Sequence, residues 1–493
     1  MKKVWVGLLR GISAGLILAA AALAAWQYQQ FSQAEVVFPR GSRIAQVAVG
    51  GLRQDQALER LLQAYGLPVE LRYAGALIQA RPEALGFELE VSRMLAEAEL
   101  ARLARPFWDA FWDYLTEREP APIEIPLEAA VREDAIRAYL KTEVAARYDS
   151  AATRAMPLAG TTRTVAGKGG NALEVEPAVP LISAALRSLT QRSVTLTARA
   201  TPALGPLAQN LQTQLKQLMA LSHFDGISEL YLQDLQSGET VQAAAYQGRA
   251  IPGEVGFTAA STIKIAIMAS TFRRVKEPAP QAVLDNLAKM IEFSENDPAD
   301  ALMQQVMSKN NGPLEVTSDL QALGFKNTFL AGYFYPGAAL LKRFTTPANQ
   351  RKDYFTDPDP YNQTTPAEMG QLLTDIARCA ADGGGDFARV FNGEITQGEC
   401  QQMVEFLVLN KLPVLITVGL PEGTRIGHKH GWITELDGVV HSFSDAAIVY
   451  TPGGSYVLTI YLWSKNQLLF DTANPLFATL SQAVYGYFNP ERP

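Results

Sequence analysis

An α+β protein with two folded regions behind an N-terminal apolar segment is predicted by three features of the sequence. Strand-like and helix-like stretches alternate from Ala34 onward. The doubly proline-bearing "TPALGPLAQ" then marks a boundary, and the region beyond it opens on a strand, passes through helices and closes on a run of strands. Strands at both ends with helices between them describe an antiparallel sheet closed by helices.

At 493 residues the chain is long enough for two or three domains with cores of their own. A hydrophobic share of 48% against 19% charged excludes a disordered or collagen-like chain. The net charge of −7, with no basic stripe, argues against a nucleic-acid partner.

Residues 1–33 come first. Lys2, Lys3 and Arg10 precede a charge-free run from Gly11 to Trp26, which is the layout of an export signal. Ala22-Leu23-Ala24 offers a small-residue cleavage site. The run is short for a membrane span, but Val4 to Leu9 extend it past Arg10, and Trp26 suits a lipid interface. Cleaved signal and retained anchor both stay open, and the stalk-like "QYQQFSQ" favours the anchor. Either way the mature protein is expected outside the cytoplasm, in a bacterial cell envelope.

Residues 34–203 are predicted as a smaller α+β region. "PRGSRIAQVAVGGLRQDQALERLLQAY" reads as strand, turn and helix, and "LGFELEVSRMLAEAEL" and "NALEVEPAVPLISAAL" look like one internal repeat. Phe107, Trp108, Phe111, Trp112 and Tyr114 fall at helical spacings, as packing residues would rather than a sugar platform.

Residues 204–493 carry the chemistry. In "TAASTIKIAIMAS", Ser261 and Lys264 lie three apart, so on a helix the amine reaches the hydroxyl. A helix beginning near Thr258 leaves the Ser261 amide in the first turn, free for an oxyanion unless Thr258 caps it. The apolar continuation Ile265 to Ala269 buries the helix on all sides, and burial disfavours a charged amine, which makes a base of lysine. In "FSENDPADALMQQV", Asp297-Pro298 starts a helix and leaves Ser294 and Asn296 on the preceding corner. In "IGHKHGWI", Lys429 is a fixed cation in a strand, Gly431 admits another backbone, and the Trp432 amide offers a second oxyanion donor. The two cysteines, Cys379 and Cys400, are expected to form a disulfide outside the cytoplasm, closed by a helix-loop-helix.

In this order the three motifs, S-T-I-K, S-E-N and K-H-G, resemble those of class A β-lactamases and penicillin-binding proteins. The resemblance spans roughly 204–493 and includes "TTPAEMGQLL". It implies a β-lactamase/transpeptidase-like fold and a serine hydrolase acting on a β-lactam or a peptidoglycan peptide, with no cofactor. Ser261 would be the acylated nucleophile, Lys264 its base and Ser294 the proton shuttle. Asn296, Lys429, His430, Gly431 and Trp432 would bind substrate. Residues 34–203 in turn look like a peptidoglycan-binding domain of envelope proteins, which adds the cell wall and, through the N-terminal segment, the membrane as partners.

Two departures stand out. The family's water-activating Glu has no counterpart between Glu315 and Glu368, where only Asp319, Asp353, Asp357 and Asp359 are acidic, so acylation without efficient hydrolysis is expected. An acyl-trapping or non-catalytic binding protein is the alternative. His430 also replaces a Thr or Ser. Asp437-Gly438 reads as a two-residue hairpin loop that pairs Thr434 with His441, Trp432 with Phe443 and His430 with Asp445. That register sets His441 four residues, about 13 Å along the strand, from the position opposite His430, too far to share a metal with His428 and His430. No metal site is predicted.

Overall fold

The computed structural model describes residues 2–34, 36–435 and 437–492. The chain divides into two units, Met1–Ala152 with Gly169–Pro202, and Thr153–Lys168 with Ala203–Pro493. Both mix helices with mostly antiparallel sheet, so the class is α+β.

The first unit begins with α1 (Lys2–Ala34), whose Arg10–Gln33 portion is apolar, mostly exposed apart from the buried Phe31, and long enough to cross a membrane. Its body is a small sheet in which Val69–Tyr73 pairs with Ala76–Ala80 on one side and Ser193–Thr195 on the other. The helix Val175–Arg187 packs on this sheet, and α2 (Val91–Leu103) packs on the strands Arg43–Ile44 and Glu124–Ile125. Leu61, Leu71, Met94, Ile136 and Ile182 share the core. α3 (Phe107–Leu115) follows α2. Each of the two similar sequence stretches forms a short strand followed by a helix of 13 residues.

The second unit is built on a six-stranded sheet. Its strands are β1 (Ile227–Asp234), β2 (Thr240–Tyr246), β3 (Arg249–Ala250), β4 (Arg425–Thr434), β5 (Val440–Thr451) and β6 (Gly454–Trp463), in the order β3-β2-β1-β6-β5-β4. The chain's two ends of sheet interlock because β1 pairs antiparallel with β6. One face packs on α4 (Ala208–Leu221) and the C-terminal α9 (Phe470–Phe488). The other face meets α5 (Lys264–Phe272), α6 (Asn296–Leu302), α7 (Pro366–Asp382) and α8 (Gln397–Val408). α5 is apolar all round because it is the centre of that layer, and each of its residues is buried. α7 and α8 are joined by the Cys379–Cys400 disulfide, with Cα atoms 5.8 Å apart.

One segment departs from the sequence expectation. Thr153–Lys168 lies inside the sequence-defined region 34–203 but packs with the second unit. Its hairpin (Met156–Pro157 with Thr164–Val165) exchanges backbone hydrogen bonds with Leu204 and Glu491. Partners so distant in sequence leave no local pattern to read.

Candidate active site

The site lies where α5, the start of α6 and β4 converge. A 3₁₀ turn, Ala260–Ile263, precedes α5, so Ser261 stands before the α-helix proper. Thr258 does not cap this helix. It belongs to the short strand Phe257–Thr258, and its hydroxyl accepts from the Asp359 amide. Early in the turn, the Ser261 N–H has no intrahelical acceptor. Ala260 is held at φ 47°, a left-handed conformation that costs a non-glycine residue of order 1 kcal/mol or more. Ser294 is held likewise at φ 62°. Both bends flank the cleft, one on each side of Lys264.

Lys264 is wholly buried, and its Nζ donates to Ser261 Oγ (3.1 Å), Ser294 O (2.7 Å) and Asn296 Oδ1 (2.7 Å). Burial pulls its pKa down to about 7, against the opposing attraction of Asp300 and Glu295. Helix α6 begins with Asn296, with Glu295 at the N-cap position but making no side-chain cap, so Asn296 is the first helical residue rather than part of the corner. Lys429 Nζ donates to Ser294 Oγ at 2.8 Å and to His430 O at 2.9 Å. Burial first, and then repulsion from Lys264, hold Lys429 well below the ordinary ammonium range. A Cβ added at Gly431 would lie 3.1 Å from Ser261 N and 3.0 Å from Ala259 O. β4 therefore runs directly against the Ser261 amide, and any side chain at Gly431 would press on that backbone.

His430 does not join this group. Successive side chains of a strand point to opposite faces, so Lys429 faces Ser294 while His430 lies on the other face of β4. There its ring stacks on Trp432 at 4.6 Å and sits near Asn410. Burial pushes its pKa down, and it stays neutral. The backbone pairs His430 with Asp445 and Trp432 with Phe443 as the hairpin loop implies. The Asp445 carboxylate, however, bonds His428 Nδ1 (3.0 Å), its diagonal neighbour. Thr434 pairs with Val440 rather than His441, because a bulge after Trp432 shifts the register. His441 instead contacts Asp437 and Ser464 O.

Sequence reasoning missed three residues of the site. The Phe334 ring stands 5.3 Å from Lys264 Nζ, presenting an apolar face to the catalytic-type amine. Asp300 accepts from the Phe334 and Tyr335 amides (both 2.9 Å) and so fixes that loop against α6. Burial raises its pKa. Glu229, buried in β1, accepts from the Glu254 and Val255 amides (2.7 and 3.0 Å) and fixes the segment that leads into Ser261. An acid beside the apolar run Leu230-Tyr231-Leu232 was the available signal for Glu229, and Asp300 lies four residues after Asn296 on one helix face. Nothing local marked Phe334.

Three of the four acids between Glu315 and Glu368 are engaged by other groups. Asp319 is held by Arg273 and Arg274, Asp353 by Arg351, and Asp359 by the Tyr361 amide. Glu368 accepts from the amides of Lys326 and Asn327 and from the Thr328 hydroxyl. Among the described residues no cluster of His, Cys, Asp and Glu could hold a metal.

Residues 276–488 match the model of the β-lactamase enzyme family, a stretch that holds Ser294, Asn296 and Lys429 to Trp432 and begins after Ser261 and Lys264. Among solved structures, the chain is similar to a mutant of PBP-A in an acyl-enzyme complex with penicillin G. Identity is 20%, coverage 57% of this chain and 97% of that one, and the TM-score 0.41. It is also similar to an ancestral (GNCA) class A β-lactamase, at 24% identity, 56% and 98% coverage and a TM-score of 0.40. No curated protein matches.

Proposed function

We propose that the second unit, a β-lactamase-like serine hydrolase domain, attacks amide or β-lactam carbonyls through a Ser261 acyl-enzyme. The observation that carries this reading is the convergence on one cleft of Ser261, Lys264, Ser294 and Lys429, linked by hydrogen bonds of 3.1, 2.7 and 2.8 Å. Neutral Lys264 takes the Ser261 proton as Oγ bonds to the carbonyl carbon. The tetrahedral oxyanion is received by the Ser261 and Trp432 amides, and each such donor is typically worth ~10²–10³ in rate. The proton passes from Lys264 through the Ser294 hydroxyl to the departing nitrogen, and the C–N bond breaks to leave the acyl-enzyme. Lys429 Nζ donates to a substrate carboxylate, whose negative charge favours the ammonium form that burial otherwise disfavours, and Asn296 orients the substrate.

Phe334 favours a long-lived acyl-enzyme over rapid hydrolysis. A water beside Lys264 on that side meets an aromatic ring rather than a carboxylate, and Asp300 is occupied by two backbone amides. The substrates in this reading are peptidoglycan peptides, with β-lactams as acylating mimics, and a carboxypeptidase, transpeptidase or acyl-trapping role follows. The enzyme works outside the cytoplasm, tethered by α1, which fits the disulfide. On its sequence resemblance, the first unit binds the wall.

Intact mass of the full chain followed over time with a penicillin, beside Ser261→Ala, tests the proposal. An adduct that requires Ser261 and persists for hours is expected. A folded wild-type chain that takes up no penicillin and no wall-peptide acyl group would sink the acyl-enzyme reading. Loss of the adduct within seconds would make it an efficient β-lactamase instead.

A further inference from the structure

We propose that α3 is a second membrane contact, with Trp108, Trp112 and Leu115 resting in the interfacial layer of the bilayer that α1 spans. The proposal rests on reading α1 as a retained anchor.

The depth of α3 follows from α1. The apolar stretch Arg10–Gln33 has 24 residues, which at 1.5 Å each is about 36 Å, against ~30 Å of hydrocarbon. The excess is about one turn, so the end of α1 that carries Phe31 stands where a span leaves the hydrocarbon, and the exposed Trp26 and Tyr28, residue types of the interfacial belt, precede it closely. α3 docks at this level. The Phe31 ring meets Phe107, Phe111 and Tyr114 at 5.8, 5.2 and 5.5 Å, and Tyr28 lies 6.1 Å from Phe107.

Phe107, Phe111 and Tyr114 form one i, i+4, i+7 stripe, which is used on α1. Trp108, Trp112 and Leu115 form the adjacent stripe at the same spacing. That stripe is left largely exposed, Trp108 at 75% and Trp112 at 67%, with Trp108 touching only the edge of its neighbour Phe107 at 5.1 Å among the described ring contacts. Leu100 and Leu103, exposed at the end of α2, extend the surface. The acids of α3 lie off the stripe, and Asp113 is paired with Arg105. Contiguous exposed aromatic surface marks an interaction site. Its continuity with the anchor's own lipid-facing surface selects a bilayer over a second protein. Tryptophan, with an apolar body and a polar N–H, suits that layer.

The full chain carrying Trp5→Phe and Trp26→Phe is reconstituted into phosphatidylcholine vesicles containing lipid brominated near the headgroup. The remaining emitters are then the two tryptophans of α3, Trp432 and Trp463. The expected result is blue-shifted emission and a quenched fraction that disappears when Trp108→Phe and Trp112→Phe are added, substitutions that keep the stripe apolar and remove only the emitters. A chain that floats with the vesicles yet has no such quenching overturns the surface and leaves the anchor standing. Emission that shifts with protein concentration instead of lipid means a second copy covers the stripe, which also overturns it. A chain that does not float refutes the anchor, and the surface proposal falls with it.

Discussion

In the proposed reaction Lys264 is the base, because its three hydrogen-bond acceptors hold an amine that burial makes reluctant to carry charge. With its pKa pulled down to about 7, the free base grows as pH rises through neutrality. Below that midpoint the rate of Ser261 acylation should fall about tenfold per pH unit, and above it the rate should level off. Asp300→Asn removes an attraction that raises this pKa, so the midpoint should move to lower pH. Stopped-flow acylation by a chromogenic β-lactam across pH 5 to 9 checks both, and a flat profile would exclude Lys264 as the base. Phe334 carries the second prediction. Phe334→Glu puts a carboxylate where the ring now faces Lys264, and the adduct should then be lost faster than in the wild type, read by intact mass. An unchanged lifetime would mean that something other than this apolar face limits hydrolysis. Ser261, Lys264, Ser294 and Lys429 were legible in the sequence because each sits on a short local element whose spacing has chemical meaning. Phe334 was not, because its position depends on the path of a long loop tied to Asp300.

β4 and the 3₁₀ turn before α5 must approach each other closely for the nucleophile's amide and the Trp432 amide to face one oxyanion. In Gly431→Ala the new Cβ would meet backbone atoms, Ser261 N at 3.1 Å and Ala259 O at 3.0 Å, and neither element can yield without moving the other. Acylation should fall by ~10²–10³ if the shift misaligns one donor. The melting temperature should fall by only a few degrees, since overpacking costs about 1–3 kcal/mol. Loss of acylation in proportion to loss of folded protein would instead make the glycine merely structural. Strand alternation was available to separate Lys429 from His430, and applying it to the K-H-G motif would have sent His430 to the far face. The His428–Asp445 pair was harder to read, since it is diagonal across two strands, and the bulge that shifts Thr434 onto Val440 has no signature in "ITELDG".

The proline-bearing boundary near residue 203 was legible, yet a chain cut there would lack part of the second unit. The hairpin in Thr153–Lys168 supplies Thr161 O and Arg163 O to the buried Gln214 side chain (2.8 and 3.3 Å). It also exchanges hydrogen bonds with Leu204 and Glu491, and it pairs Arg163 with Glu491. Removing it leaves the Gln214 amide unpaired, at a cost of about 1–3 kcal/mol for a buried polar group. The lost backbone bonds and the packing over buried Thr164 add to that. Because the apolar cores of the two units are made of separate sets of residues, the full chain should unfold in two calorimetric transitions. Covalent acylation by a penicillin should raise only one of them, since a ligand stabilises the unit that holds it. That transition identifies the second unit, and a chain beginning at Ala203 should melt several degrees below it while still taking up penicillin at Ser261. Equal melting temperatures would mean that the hairpin adds nothing to the fold it joins. A truncated chain that never acylates would mean that the distant hairpin is needed to form the cleft itself.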